Sequence, residues 1–186
     1  MKNPEQYKKN VITNTQVIDS CVHLHDSYIL IHGKKVNNIS LKALEIYTKI
    51  REKHAEASIA ILARYRYLLK EAKEVIQDPN VKFWTFHGSK GLEADYCILL
   101  GFFQGKTGFP NENKEDDVVE ALLPTLDSYP HSEERRLFYV ALTRAKKESY
   151  LIADANAPSE FINELLSPQY KINIVSDSFK EKYREI

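Results

Sequence analysis

Two stretches of this chain combine residue types that can handle phosphate and sugar chemistry. They are Thr85 to Tyr96, reading TFHGSKGLEADY, and Glu133 to Lys147, reading EERRLFYVALTRAKK. In the first, Gly88 and Gly91 permit close backbone approach, Thr85 and His87 offer hydrogen bonds to a phosphate or sugar, and Glu93 can accept two hydroxyl donors from a ribose. In the second, Arg144 continues the apolar stripe of Leu137, Val140 and Ala141 at i+7, i+4 and i+3. A guanidinium on an inward-facing stripe needs an anionic partner, and bidentate phosphate is a chemically suitable one.

Two further patterns invite similar readings and fall short. Gly105-Lys106-Thr107 looks like the end of a P-loop, but the loop needs GxxxxGK[ST] and only three residues separate Gly101 from Gly105. Gly108, Phe109 and Pro110 then follow where a helix should start to present its amides to phosphate. Cys21, His23 and His25 alternate as CxHxH, which puts three potential ligands on one face of a strand. A closed tetrahedral site needs a fourth ligand, and no second cluster supplies the paired spacing, so no metal is expected.

Composition sets the frame for these residues. The 186 residues are 43% hydrophobic, enough for one buried core. Lys plus Arg and Asp plus Glu are equal at 26 each, so any contact with a polyanion must be local. Cys21 and Cys97 are far apart, and Cys97 lies in an apolar run, which argues against a disulfide scaffold and for a reducing cytoplasm. No apolar stretch approaches the roughly 20 residues that cross a bilayer, and the start MKNPEQYKKN lacks the apolar core of a signal peptide. No membrane partner is expected.

The elements that must position the two stretches follow from hydrophobic periodicity. Ser27 to His32, ended by Gly33, reads as a strand and turn, and Ser40 can cap an amphipathic helix over Leu41 to His54. Ile59 to Ala63 (IAILA) is of strand length, Tyr65 to Gln77 is helical, and Asp78-Pro79-Asn80 is a stop. Val81 to Phe86, Tyr96 to Leu100 and Ser149 to Ile152 are further strands, spaced to permit parallel pairing. The expected fold is therefore α/β, with a mainly parallel sheet flanked by helices. The first stretch should turn at the carboxyl edge of that sheet, where ligands of open α/β sheets bind. Gln104 to Asp117 should be an exposed excursion, Ser132 should cap the helix that leads to Arg144, and Pro158 to Leu166 should form a late helix. The end from Asp177 to Ile186 is open between helix and fraying.

Together the two stretches resemble motifs V and VI of superfamily 1 DNA helicases of the UvrD/Rep type, in order and at suitable separation. Gly-Phe-Pro110 and Glu120 to Pro124 look most like the helicase IV branch, and the likeness runs from about Ile59 to Leu166. The resemblance implies a RecA-like three-layer domain, the second of two in a motor. Its limits would be 40–168, with 1–39 packing on it as a poorly assigned N-terminal segment and 169–186 as a C-terminal tail. The family's QxxYR motif has no counterpart upstream, and the interval between Arg64 and motif V is too short for the large accessory domain of UvrD.

What the resemblance implies for individual residues is specific. Arg144 would be an arginine finger on the γ-phosphate of ATP, and Glu93 would contact the ribose. Lys90 and Gly91 would lie in a coupling loop, and Thr85 and His87, with Arg64 after the IAILA strand, would contact single-stranded DNA. Walker A and the Mg²⁺ ligands would belong to the N-terminal RecA-like domain of the same protein, so this fragment alone would be inactive. The alternatives are the motor domain of a helicase-nuclease subunit and a non-catalytic RecA-like interaction module.

Overall fold

Ile59–Ala63 is apolar at every position because both faces of the strand are covered. In the computed structural model, which describes residues 21–111, 131–167 and 170–183, all five residues are buried. Ala60 and Leu62 point into one core, while Ile59, Ile61 and Ala63 point into another. This is β4, and the same two-sided burial extends to its neighbour β6, Ala94–Phe102. Cys97 and Leu99 face the first core and Ile98 and Leu100 the second. Burial pushes the Cys97 thiol up to about 12, so it behaves as a small apolar side chain.

Six strands form the main sheet: β1 (Cys21–Asp26), β4, β5 (Lys82–Thr85), β6, β7 (Ala145–Ala153) and β8 (Asn173–Ile174). Their order is β5-β4-β6-β7-β1-β8, and every pairing within the sheet is parallel. Residues from both flanks of the 40–168 span are thus strands of the same sheet. A separate antiparallel hairpin, β2 (Tyr28–Ile31) and β3 (Lys34–Asn37), turns through His32 and Gly33. Both turn residues have positive φ, 48° and 77°, as a two-residue hairpin turn requires.

Helices cover the two faces to make three layers. On one side lie α1 (Ile39–Lys53) and α2 (Arg66–Val75), which bury Ala43, Ile46, Ile50, Leu68, Leu69 and Ala72. On the other lie α3 (Ser132–Leu142), α4 (Glu160–Leu165) and α5 (Asp177–Lys182). The strands found are longer at β6 and β7 than the apolar runs alone predict, since Ala94, Asp95 and Ala145 to Glu148 extend them at the polar end.

Several expectations need correction. Asn38, not Ser40, caps α1: its Oδ1 accepts from the Leu41 N–H at 2.9 Å, and Ser40 is buried within the first turn. At α3 the cap position is His131, in a left-handed conformation at φ 55°, and Ser132 is the first helical residue. The segment from Gln104 is not wholly exposed. Gly108, Phe109 and Pro110 are buried, while 112–117 fall outside the described residues.

Phe109 lies in an aromatic cluster with Phe86, Phe102, Phe138 and Phe161, with ring centroids 5.0 to 6.0 Å from it. It packs the loop that follows β6 against α3 and α4. Phe179 of α5 is also fully buried, so the charged C-terminal end is helical because one aromatic side chain holds it. Phe109→Ala should therefore cost roughly 3–5 kcal/mol in chemical denaturation, the range for a buried phenylalanine and not for a loop residue. A loss below about 1 kcal/mol would return the segment to the surface.

Candidate functional site

Parallel pairing has a direct consequence for the candidate residues. Arg64 follows the last residue of β4, and Thr85 is the last residue of β5, its register partner being Ala63. These lie at the carboxyl edge of the sheet. Glu93 and Arg144 immediately precede Ala94 and Ala145, the paired first residues of β6 and β7, and so lie at the opposite edge. The first stretch, expected to turn at the carboxyl edge, is corrected in part: Thr85 and His87 lie there with Arg64, but Glu93 lies at the opposite edge with Arg144, the two groups being separated by the rise of β6 from Ala94 to Leu100, roughly 20 Å.

At the amino edge, Arg144 is half-buried just beyond the C-terminus of α3. Its Nε donates to the Val140 carbonyl at 2.8 Å, Nη1 to the Leu92 carbonyl at 3.2 Å and Nη2 to the Thr143 hydroxyl at 3.1 Å. The Thr143 Oγ1 in turn donates to the carbonyls of Tyr139 and Val140. The guanidinium therefore satisfies the end of its own helix and reaches the motif V segment at Leu92. Among the described residues it has no carboxylate partner, so its charge is uncompensated there. The inward position that the helical stripe predicts becomes a fixed position at the sheet edge, because the helix stops at Leu142.

Glu93 sits beside it, exposed, with its carboxylate 3.9 Å from Lys146 Nζ, an ion pair too solvated to hold either group firmly. Gly91 adopts φ 79°, which only glycine takes without strain, and Lys90 is exposed. The Leu92 N–H closes this turn on the Ser89 carbonyl at 3.0 Å. The Arg144 carbonyl accepts from the Ala94 N–H at 3.1 Å, joining the two motifs through backbone as well as side chain.

At the carboxyl edge, Arg64 is stacked over the Tyr65 ring at 5.5 Å. Its Nε donates to Glu134 Oε1 at 3.2 Å, and its Nη1 lies 3.5 Å from His87 Nδ1. The Thr85 hydroxyl accepts from the Gly88 N–H at 3.0 Å and so shapes the one-turn helix His87–Ser89. A Cβ at Gly88 would come within 2.9 Å of that hydroxyl, which explains the glycine. The structure thus brings Arg64, Thr85 and His87 together.

Glu134, legible only as an acid in the first turn of its helix, and Tyr65, legible only as the start of one, were not among the expected site residues. For Glu134 the spacing held the signal: it precedes Leu137 by three and Phe138 by four, which puts a carboxylate on the inward stripe of α3, just as Arg144 is at its other end.

Residues 3–156 match the family described as the UvrD-like helicase C-terminal domain. The chain belongs to that family. The match begins well upstream of Ile59, where the motifs alone placed the start of the likeness. The domain is 36% identical over 168 residues to DNA helicase IV of Escherichia coli strain K12, covering 88% of this chain and 23% of that protein. It is 35% identical over 105 residues to DNA helicase II of Rickettsia typhi, covering 51% of this chain and 14% of that protein. The ATP-dependent DNA helicase PcrA of Leuconostoc citreum is 33% identical over 102 residues, 50% of this chain and 12% of its own length. The chain therefore spans about a quarter or less of these relatives. The fold is that of the crystal structure of the C-terminal domain of a possible DNA helicase from Lactobacillus plantarum WCFS1, at a TM-score of 0.50 and 14% identity over 83% of this chain and 84% of that one.

Cys21, His23 and His25 do share one face of β1, but His23 stacks on Tyr150 at 4.7 Å and its Nδ1 contacts Asn173 at 2.9 Å. His25 is buried beside the same ring. Among the described residues no group of three or more His, Cys, Asp or Glu side chains converges as metal ligands would, and no helix is long and apolar enough to cross a membrane. Lys106 is exposed in the loop after β6, and residues 107–111, which follow it, form no helix.

Burial lowers His25 from 6.5 to about 4, helped by the charges of Lys42, His23 and Lys49 and opposed by Glu45. The folded domain keeps it neutral, whereas the unfolded chain protonates it below about 6.5. Its stabilising contribution is complete above that value and is lost as pH falls toward about 4. Between pH 7 and 5 the domain should lose about 2 kcal/mol more stability than a His25→Leu variant, read from denaturant midpoints. Parallel pH profiles for the two proteins would remove the burial argument.

Proposed function

We propose that this chain is the second motor domain of an ATP-dependent DNA helicase, and that its two sheet edges face the motor's two ligands. The amino edge meets nucleotide held mainly by an N-terminal RecA-like domain of the same protein. The carboxyl edge meets single-stranded DNA. The observation that carries this reading is the state of Arg144, a guanidinium fixed in three directions by neutral acceptors and left without a carboxylate.

Such an arginine is preorganised for a phosphate, because its orientation is set before the ligand arrives and its charge is not already spent. Arg144 would reach the γ-phosphate across the interdomain cleft as an arginine finger, with Glu93 accepting from the ribose hydroxyls. Walker A and the Mg²⁺ ligands would belong to the partner domain, as the resemblance of the two motifs to the helicase family implies. The fragment alone is then inactive for hydrolysis.

Lys90 and Gly91 lie between the two edges, in the short connection from Thr85 to Ala94. Thr85, His87 and Arg64 would contact the DNA backbone, which places sequence-independent phosphate recognition at that edge. ATP supplies the free energy that draws the two motor domains together, and Arg144 gains its charge-assisted contact only in the closed arrangement.

In the intact protein, Arg144→Ala should lower DNA-stimulated ATP turnover by on the order of 10³ or more while sparing much of nucleotide binding, measured by steady-state hydrolysis and a fluorescent ATP analogue. Turnover within tenfold of the parent would overturn the finger assignment.

A further inference from the structure

Arg64 meets its proposed ligand with one edge of the guanidinium already engaged. Nε is held by Glu134 Oε1, the plane lies on Tyr65, and Nη1 is turned toward His87. Nη2 makes no hydrogen bond among the described residues. A free arginine side chain has several rotatable bonds and would lose that freedom on meeting a phosphate; one pinned at Nε has lost much of it beforehand. The group that pins it is well placed to do so. Glu134 is only 14% exposed, lies in the first turn of α3 where the helix dipole favours a carboxylate, and uses its other oxygen to accept the Asn111 N–H at 2.6 Å. Both oxygens are thus committed, one to Arg64 and one to the backbone of the loop after β6, and the carboxylate cannot swing freely.

We infer that Glu134 is a positioning residue for single-stranded DNA: it holds Arg64 with its Nη edge outward, so that Arg64 can donate to a DNA phosphate. The same contact makes α3 a strut between the two edges. Glu134 stands in its first turn at the carboxyl edge, and Arg144 follows its last turn at the amino edge, roughly 16 Å away along 11 helical residues. Arg64 and Arg144 are thus joined through α3 as well as through the motif V connection, which touches Arg64 at His87 and Arg144 at Leu92. The inference rests on the proposed role of Arg64 at the DNA edge.

A simple carboxylate beside an arginine could instead compete with phosphate and weaken DNA binding. The two roles predict opposite signs. The test is a double-mutant cycle on the intact protein, using fluorescence anisotropy with a labelled oligothymidylate across a range of salt concentrations. Arg64→Ala should weaken binding about tenfold and lower the salt slope by about one. Glu134→Gln should weaken it about three- to tenfold, and the double variant should bind within about twofold of Arg64→Ala, because Glu134 acts only through Arg64. Melting temperatures of all variants, with Glu134→Asp as a second substitution that keeps the charge, separate loss of fold from loss of positioning. Tighter binding by Glu134→Gln, or single effects that multiply in the double variant, would overturn the inference. An Arg64→Ala variant that binds like the parent would instead overturn the proposed DNA edge itself.

Discussion

Parallel pairing of β6 with β4 on one side and β7 on the other is the constraint from which the rest of this domain follows. In a parallel sheet, every connection must carry the chain from the carboxyl edge of one strand back to the amino edge of the next. The connection from β5 to β6 does so in the eight residues 86–93, with His87 at one end and Glu93 at the other. The connection from β6 to β7 returns through α3, with Glu134 at one end and Arg144 just beyond the other. Both motifs therefore span the sheet because the topology obliges them to, and a residue set that can serve nucleotide at one edge can serve DNA at the other.

The two arginines illustrate how such a scaffold prepares charge for use. Arg144 is held by neutral acceptors that belong to its own helix end and to Leu92, so its position is fixed while its charge stays available. Arg64 is held at Nε by a carboxylate, so its orientation is fixed at the cost of partial neutralisation. The first arrangement suits a guanidinium that must stabilise charge during turnover. The second would suit one that must meet a backbone phosphate in a set orientation.

Most of the fold was legible in the sequence, and for physical reasons. IAILA reads as a strand because it is an uninterrupted apolar run of strand length, and the Asp78-Pro79-Asn80 stop and the stripe of α3 were equally plain. What was illegible depended on tertiary contacts. Phe109 sits among Gly, Pro and Asn, whose composition announces a loop, and only the approach of Phe86, Phe138 and Phe161 buries it. Asn38 and Ser40 are both good caps by type, and the backbone alone decides between them. The candidate residues were named by type and spacing, but their division between two edges was not foreseen, because it needs the direction of each strand. Glu134 was visible as a first-turn acid; that it grips Arg64 depends on a pairing 70 residues distant in sequence.

In the proposed motor, nucleotide at Arg144 and single-stranded DNA at Arg64, Thr85 and His87 are coupled through this domain. The direct measurement is the affinity of the intact protein for single-stranded DNA with and without a non-hydrolysable ATP analogue, in the parent and in Arg144→Ala. Coupling predicts that the analogue changes DNA affinity by about 5- to 150-fold in the parent, and by less than about twofold in the variant at saturating analogue. An unchanged ratio in Arg144→Ala would contradict it, since the nucleotide would then be acting on DNA by a route that does not pass through this arginine.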